Sequence, residues 1–300
     1  MKLFLSNVRR HTKLFFKDKG LFFTSLITPL ILLVLYATFL SNVYRSSFEQ
    51  VFSQFGQDIV SDKQLSGLVG GQLMSSLLAV SCVTVSFCSN MLMVQDKISG
   101  AYNDLMITPL KRSNLALSYY ISTTISTLII CLIALIACLI YVGVIGWYLT
   151  FTDILFLLLD IFLVSTFGTA LSSVINYFLS SQGQISAVGS IVSSCYGFIC
   201  GAYMPLATFG SGLRNAVMFL PGTYGTALIR NHSLNGIMNE LSTTLPAEAI
   251  KGLKDSIDCN IYFFNTKVEI GTMYLVVSLS IVLLITAYVL INKFCKKIKN

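Results

Sequence analysis

Residues 271–291 read Gly-Thr-Met-Tyr-Leu-Val-Val-Ser-Leu-Ser-Ile-Val-Leu-Leu-Ile-Thr-Ala-Tyr-Val-Leu-Ile, with no charge anywhere in the run. The run ends abruptly at Lys293, Lys296, Lys297 and Lys299. About 20 apolar residues are needed for a helix to cross the hydrocarbon core, and an ionised group inside it costs several kcal/mol, so this stretch reads as a membrane span. The same rule applies to the rest of the chain. Lys19 and Arg45 bracket a first apolar run centred on 21–43, with Pro29 inside it as a kink rather than a break. Lys63 and Asp96 bracket a second at 65–94, and Arg112 and Asp153 a third at 115–142. The stretch from Asp160 to Arg214 is too long for one span, and the polar segment Ser180 to Gln184 divides it into runs at 154–179 and 185–204. The expected fold is therefore an all-α integral membrane protein of six transmembrane helices.

Composition agrees with this reading. The 300 residues are 55% hydrophobic and 11% charged, against about 25% charged in soluble domains. The spans use up most of the length, which leaves almost no room for a separate soluble domain. The net charge of +7 does not point to nucleic acid, because the basic residues sit at the ends of apolar runs and line no groove. Six of the eight cysteines, Cys82, Cys88, Cys131, Cys138, Cys195 and Cys200, lie within apolar runs and read as small hydrophobes. Cys259 and Cys295 fall on opposite sides of the expected topology, so no structural disulfide is expected. No metal-ligand spacing joins them to His11 or His232.

Positive charge is retained on cytoplasmic flanks. Of the twenty Lys and Arg residues, thirteen fall in the N-terminal segment, the connection between the second and third spans, and the C-terminus. Both termini are therefore expected in the cytoplasm, which requires an even number of spans. The basic N-terminus precedes too long an apolar run for a signal peptide, and no small-residue cleavage site follows. Residues 1–20 place Lys2, Ser6, Arg9, Arg10, Lys13 and Lys17 on one helical face and Phe4, Leu5, Val8, Phe15 and Phe16 on the other, as an interfacial helix requires. That helix serves either as an anchor or as a partner contact.

Three other segments stand out. Between the second and third spans, Ile98, Ala101, Tyr102, Leu105 and Pro109 keep helical spacing opposite Ser99, Asn103, Asp104 and Thr108; this short amphipathic helix either lies on the membrane or docks into a soluble partner. Residues 205–230 carry Pro205, Gly210, Gly212, Pro221, Gly222 and Gly225 and end at Arg230, a density of breakers that excludes one straight span. They form either a hairpin that dips into the membrane from outside or an external loop. In the external segment 231–269, the spacing of Leu234, Ile237, Met238 and Leu241, and of Ile250, Leu253 and Ile257 after Pro246, predicts two short surface helices. Asp160 is the one acid expected inside a span, either as a functional group or bonded to water or a hydroxyl. Gly67 with Gly71, and Gly197 with Gly201, have the spacing that lets helices approach closely, within or between subunits.

There is no phosphate-cradling loop, nucleophile elbow or metal-ligand cluster, so intrinsic enzyme chemistry is not expected. Residues Lys13 to Lys19 followed by Leu26-Ile27-Thr28-Pro29-Leu30, the stretches Gln95 to Gly100 and Leu105 to Leu110, and Pro205-Leu206 with Pro221 to Arg230 together resemble the ABC-2 type permeases. That family usually has an acidic residue where Gln95 stands, with Asp96 next to it here. The resemblance implies the membrane-spanning subunit of an ATP-driven exporter in the plasma membrane, paired with a second copy or a paralogue. It also implies separate cytoplasmic ATPase subunits that use ATP and Mg, with no cofactor bound by this chain. On that reading Lys97, Ile98, Gly100, Ala101, Tyr102, Asp104, Leu105 and Pro109 form the ATPase-coupling segment, and Pro205, Pro221, Gly222 and Arg230 belong to a re-entrant hairpin. A secondary transporter, which would place several ionisable groups at the bilayer midplane, and a membrane assembly scaffold are the alternatives.

Overall fold

A computed structural model describes residues 2–52 and 60–294. Cys295 and the lysines at 296, 297 and 299 lie outside the described residues. Helix α1 (Lys2–Lys17) leads through Asp18 into α2 (Lys19–Leu35), with the Asp18 carboxylate accepting from the Leu21 N–H as its cap. The chain runs on through Pro29, a π-helical turn at Tyr36–Leu40 and α3 (Ser41–Phe52). Next come α4 (Asp62–Ser89), α5 (Met91–Ile98), α6 (Ala101–Ile107), α7 (Arg112–Ile145), α8 (Phe151–Tyr177) and α9 (Gln182–Ile199). Capping boxes at Ser61/Gln64, Thr150/Asp153 and Ser181/Gln184 start α4, α8 and α9. The remaining elements are a 3₁₀ turn at Leu206–Thr208, α10 (Ser211–Val217), α11 (Pro221–Leu241), α12 (Ala247–Ser256), a two-residue antiparallel ribbon of β1 (Tyr262–Phe263) with β2 (Thr266–Lys267), and α13 (Ile270–Phe294).

Among the described residues five helical stretches are long and apolar enough to cross a membrane: Lys19–Phe52, Asp62–Ile98, Arg112–Ile145, Phe151–Tyr177 and Ile270–Phe294. Each overlaps one of the apolar runs read from the sequence, the fourth ending at Tyr177, two residues short of the run at 154–179. The run expected at 185–204 forms α9, which is 18 residues long and carries Gln182, Gln184 and four serines, so it is less apolar than the five.

The second stretch is the centre of the bundle. In its most apolar window 89% of residues are buried, against 11% for Ile270–Phe294, so α4 is wrapped by protein while α13 turns most of its surface outward. Helix α4 packs on α2, α7, α8, α9 and α11, and small side chains let it do so. A Cβ at Gly168 of α8 would sit 3.0 Å from the Val83 Cα, and one at Gly71 would sit 2.9 Å from the Ser233 carbonyl oxygen. The Gly67/Gly71 pair thus serves close approach within the chain, to Tyr148 and to α11. Gly197 is likewise filled by the Tyr203 ring.

Two short surface helices expected after Arg230 are not both formed. Leu234, Ile237, Met238 and Leu241 belong to the second half of α11, an unbroken 21-residue helix, and all four are buried. Pro221 occupies its first turn, where a missing N–H costs nothing. The breakers of 205–220 therefore precede this helix, and none interrupts it. Only the second expected helix stands alone, as α12.

Candidate functional site

Where α7 begins, three elements meet around Asp96. Its carboxylate accepts from the Arg10 guanidinium at 3.0 Å and from the Tyr119 hydroxyl at 2.6 Å. His11 is fully buried and stacks on Tyr119 with ring centroids 3.9 Å apart, while Thr12 shares a hydrogen bond with Ser122 at 3.0 Å. Burial, with Arg10 next to it, pushes the His11 imidazole down to about 4. Helix α1 is therefore held against α7 by its own side chains. Phe15 turns into the protein and is buried, while Leu3 and Leu5 remain exposed.

The segment expected to contact a partner is built outward from this knot. Lys97 donates to the last carbonyls of α8, Asn176 at 3.0 Å and Tyr177 at 2.6 Å, and so caps that helix. Gly100 takes φ +84°, the left-handed conformation glycine adopts without strain, and this turn sets α6 at an elbow to α5. Tyr102, Leu105 and Met106 pack inward against the cluster of Met93, Leu115, Tyr119 and Tyr288, and Ala101 is half-buried. The inward apolar face of α6 thus rests on its own bundle. Ile98, Asn103, Asp104, Ile107 and Pro109 are exposed, Ile107 to 84%.

Near the start of α8 and α13, Asp160 is fully buried and does not reach water. It accepts from the Tyr274 hydroxyl at 2.6 Å and pairs with His232 Nδ1 at 2.6 Å, which joins α8, α11 and α13. Two residues earlier on α11, Arg230 is 1% exposed. It donates to the Gly201 carbonyl at 2.8 Å, lies 3.5 Å from the Ser76 hydroxyl and pairs with Asp258 at 3.4 Å. Asp258 also accepts from the Leu206 N–H at 2.7 Å, and burial pushes its carboxyl above the usual range against the pull of Arg230. Pro205 is half-buried beside this knot. Gly222 faces the Tyr196 ring, where an added Cβ would meet the hydroxyl at 2.6 Å.

Residues 2–232 match the ABC-2 type transporter family. The chain belongs to that family. The ABC-2 domain is the membrane component of an ABC transporter and carries no nucleotide-binding domain. No curated protein matches this chain closely enough to stand beside the family match. In this ABC-2 domain the α1–α5–α7 knot lies wholly inside the matched stretch. Asp258 and Tyr274 lie beyond it, although their partners Arg230 and Asp160 lie within. Sequence reading singled out Asp160 and Arg230 but did not join them to His232, Tyr274 or Asp258, because these pairs are 28 to 114 residues apart and no short spacing links them. The buried roles of Arg10 and His11 were hidden for the same reason.

Proposed function

We propose that the chain is the permease subunit of an ATP-driven exporter in the plasma membrane, working as a dimer with a second copy or a paralogue. Both termini are cytoplasmic, and separate ATPase subunits using ATP and Mg dock on the α5–α6 elbow. The observation that carries this is the elbow itself. It is fixed to α1, α7 and α8 through Asp96 and Lys97, yet it presents an apolar tip, Ile107, beside Asn103 and Asp104. A rigidly supported, exposed apolar tip ringed by polar groups is suited to transmit motion from a docked subunit into several helices at once.

Residues 205–230 are read as the first part of a re-entrant element closing the path from outside. Gly225 lies against Val164, 13 residues into α8, while Gly236 lies against the Tyr148 carbonyl, just before α8 begins. Helix α11 thus rises from within the bundle towards its rim, which supports the re-entrant reading over a surface loop. The partners of Asp160 are a brace across three helices, and this favours the permease over a secondary transporter.

The test uses the exposed tip. Tyr102 and Leu105 serve their own bundle, so charges there would damage the fold. Ile107→Asp and Asp104→Arg leave the fold's contacts intact. Each is expected to insert normally, to weaken retention of the co-purified ATPase by about tenfold, corresponding to ~1.4 kcal/mol, and to abolish substrate-stimulated ATP hydrolysis. Normal retention and stimulation in both variants would remove the elbow as the coupling element.

A further inference from the structure

A cavity of about 350 Å³ lies between α10 and the segment 255–265, over the Arg230–Asp258 pair. Its charged lining is unevenly committed. Asp258 is taken by Arg230 and the Leu206 N–H. Asp255, which lines the cavity, receives the Asn260 amide at 2.7 Å and the Tyr262 hydroxyl at 3.0 Å, both on Oδ1, and Oδ2 takes no hydrogen bond among the described residues. Arg214 of α10 is exposed, and its side chain makes no hydrogen bond or ion pair among the described residues, although its charge acts on Asp258 from a distance. The uncommitted charges therefore number one positive and one negative. Leu206, Met218, Ile261 and the Phe264 ring supply apolar wall between them.

We propose that this cavity is a binding site for a small zwitterion with an apolar body, of the class of a free apolar α-amino acid. The carboxylate pairs with the Arg214 guanidinium, whose fork donates to two oxygens side by side. The ammonium pairs with Asp255 Oδ2, whose orientation is fixed by the two donors on Oδ1. The side chain lies along Leu206, Met218 and Phe264. An anion alone would leave Asp255 facing it uncompensated, and a cation alone would face Arg214. A ligand carrying both charges satisfies the two together. The volume admits a side chain as large as phenylalanine. Because Leu206 and Asp258 line the floor, an occupant also bears on the segment that holds Arg230.

The site is tested without ATPase or transport, so its failure is distinct from failure of the permease reading. Equilibrium dialysis of the purified full chain in lipid nanodiscs against labelled phenylalanine is expected to show saturable binding. Unlabelled leucine should displace the label; phenethylamine, 3-phenylpropionate and glycerophosphoethanolamine should not. Arg214→Gln, at an exposed position, and Asp255→Asn, which keeps an acceptor oxygen for Asn260 and Tyr262 at a half-buried one, should each weaken binding about tenfold or more at an unchanged melting temperature. Absence of saturable binding at millimolar phenylalanine overturns the proposal. Equal displacement by 3-phenylpropionate, or by glycerophosphoethanolamine as a lipid-headgroup fragment, overturns the amino-acid class, and undiminished binding in Arg214→Gln overturns the assignment of the carboxylate.

Discussion

Arg230 and Asp258 are nearly dehydrated, and their separation of 3.4 Å is long for a charge-assisted bond. Removing one charge from such a pair leaves the other buried without compensation, which costs about 3–5 kcal/mol, whereas removing both is often close to neutral. Arg230→Met is therefore expected to lower stability by roughly 3 kcal/mol, and the double change Arg230→Met with Asp258→Asn to recover most of the loss. Asn suits position 258, where φ is +58° and an amide-bearing side chain tolerates the left-handed conformation. The Cys259 thiol, 3% exposed, provides a second readout: its modification by a soluble thiol reagent should speed up in the single variant and slow again in the double. Equal losses in the single and double variants would show that Arg230 acts through its contacts to Gly201 and Ser76 rather than through its charge partner. The sequence made Arg230 visible only as the end of a run of breakers, and Asp160 only as a charge inside a span. Their burial is intelligible once His232 of α11, Tyr274 of α13 and Asp258 in the turn after α12 are seen to supply partners from positions distant in the chain.

At the scale of elements, the apolar pattern marks where the long apolar helices run, because lipid imposes one length and one polarity on a span. It failed where protein replaces lipid as the surrounding. Helix α11 carries Arg230, His232, Asn235 and Asn239 along with its apolar residues, so hydropathy broke it at Arg230, whereas packing on α4, α8 and α13 carries it to Leu241. Helix α1 is the converse case. Its basic and apolar faces were read as an interfacial helix, and its buried contacts with α7 add a tie that amphipathicity alone does not reveal. That tie has a pH signature. His11 titrates near 6.5 when α1 is detached and at about 4 when it is buried, so docking favours the neutral ring. The stabilisation is complete above pH 6.5 and is lost as pH falls through the range down to about 4, a total of roughly 3 kcal/mol. Spin labels at Arg9→Cys and Asn114→Cys, in a background cleared of native cysteines, should give a broader distance distribution at pH 5 than at pH 7.5. His11→Phe, which keeps the stack on Tyr119 and cannot titrate, should remove the difference. A broadening that survives in His11→Phe would assign the effect to Asp96 or to the lipid.

For the whole molecule the open question is parity, and α9 decides it. Five crossings put the termini on opposite sides of the membrane, whereas six put both basic ends in the cytoplasm, where positive charge is retained. With 18 residues, α9 spans about 27 Å at 1.5 Å per residue, close to the ~30 Å hydrocarbon core. Its contacts run from Met91 of α5, against Gly189, to Tyr203 and Arg230 at its far end, so it follows α4 back from the elbow towards the level of Ser76. Its serines and glutamines lower its hydropathy, but a helix facing a second subunit or a water-filled path does not need a lipid-like surface. The expectation is six crossings, with Ser181 and Asn103 on the cytoplasmic side and Ser211 and Asn265 outside. Native Cys259 cannot report this, since it is buried whichever way the chain faces. Single cysteines at these four exposed or half-exposed positions in a cysteine-free chain can. In intact cells an impermeant maleimide should label Ser211→Cys and Asn265→Cys and leave Ser181→Cys and Asn103→Cys unlabelled until the membrane is opened. Protection of both Ser181→Cys and Ser211→Cys in intact cells would mean that α9 stays on the cytoplasmic side of the bilayer, and the C-terminus would then have to be external. Labelling of Asn103→Cys alone with Ser181→Cys would invert the entire chain and remove the elbow from reach of any cytoplasmic ATPase.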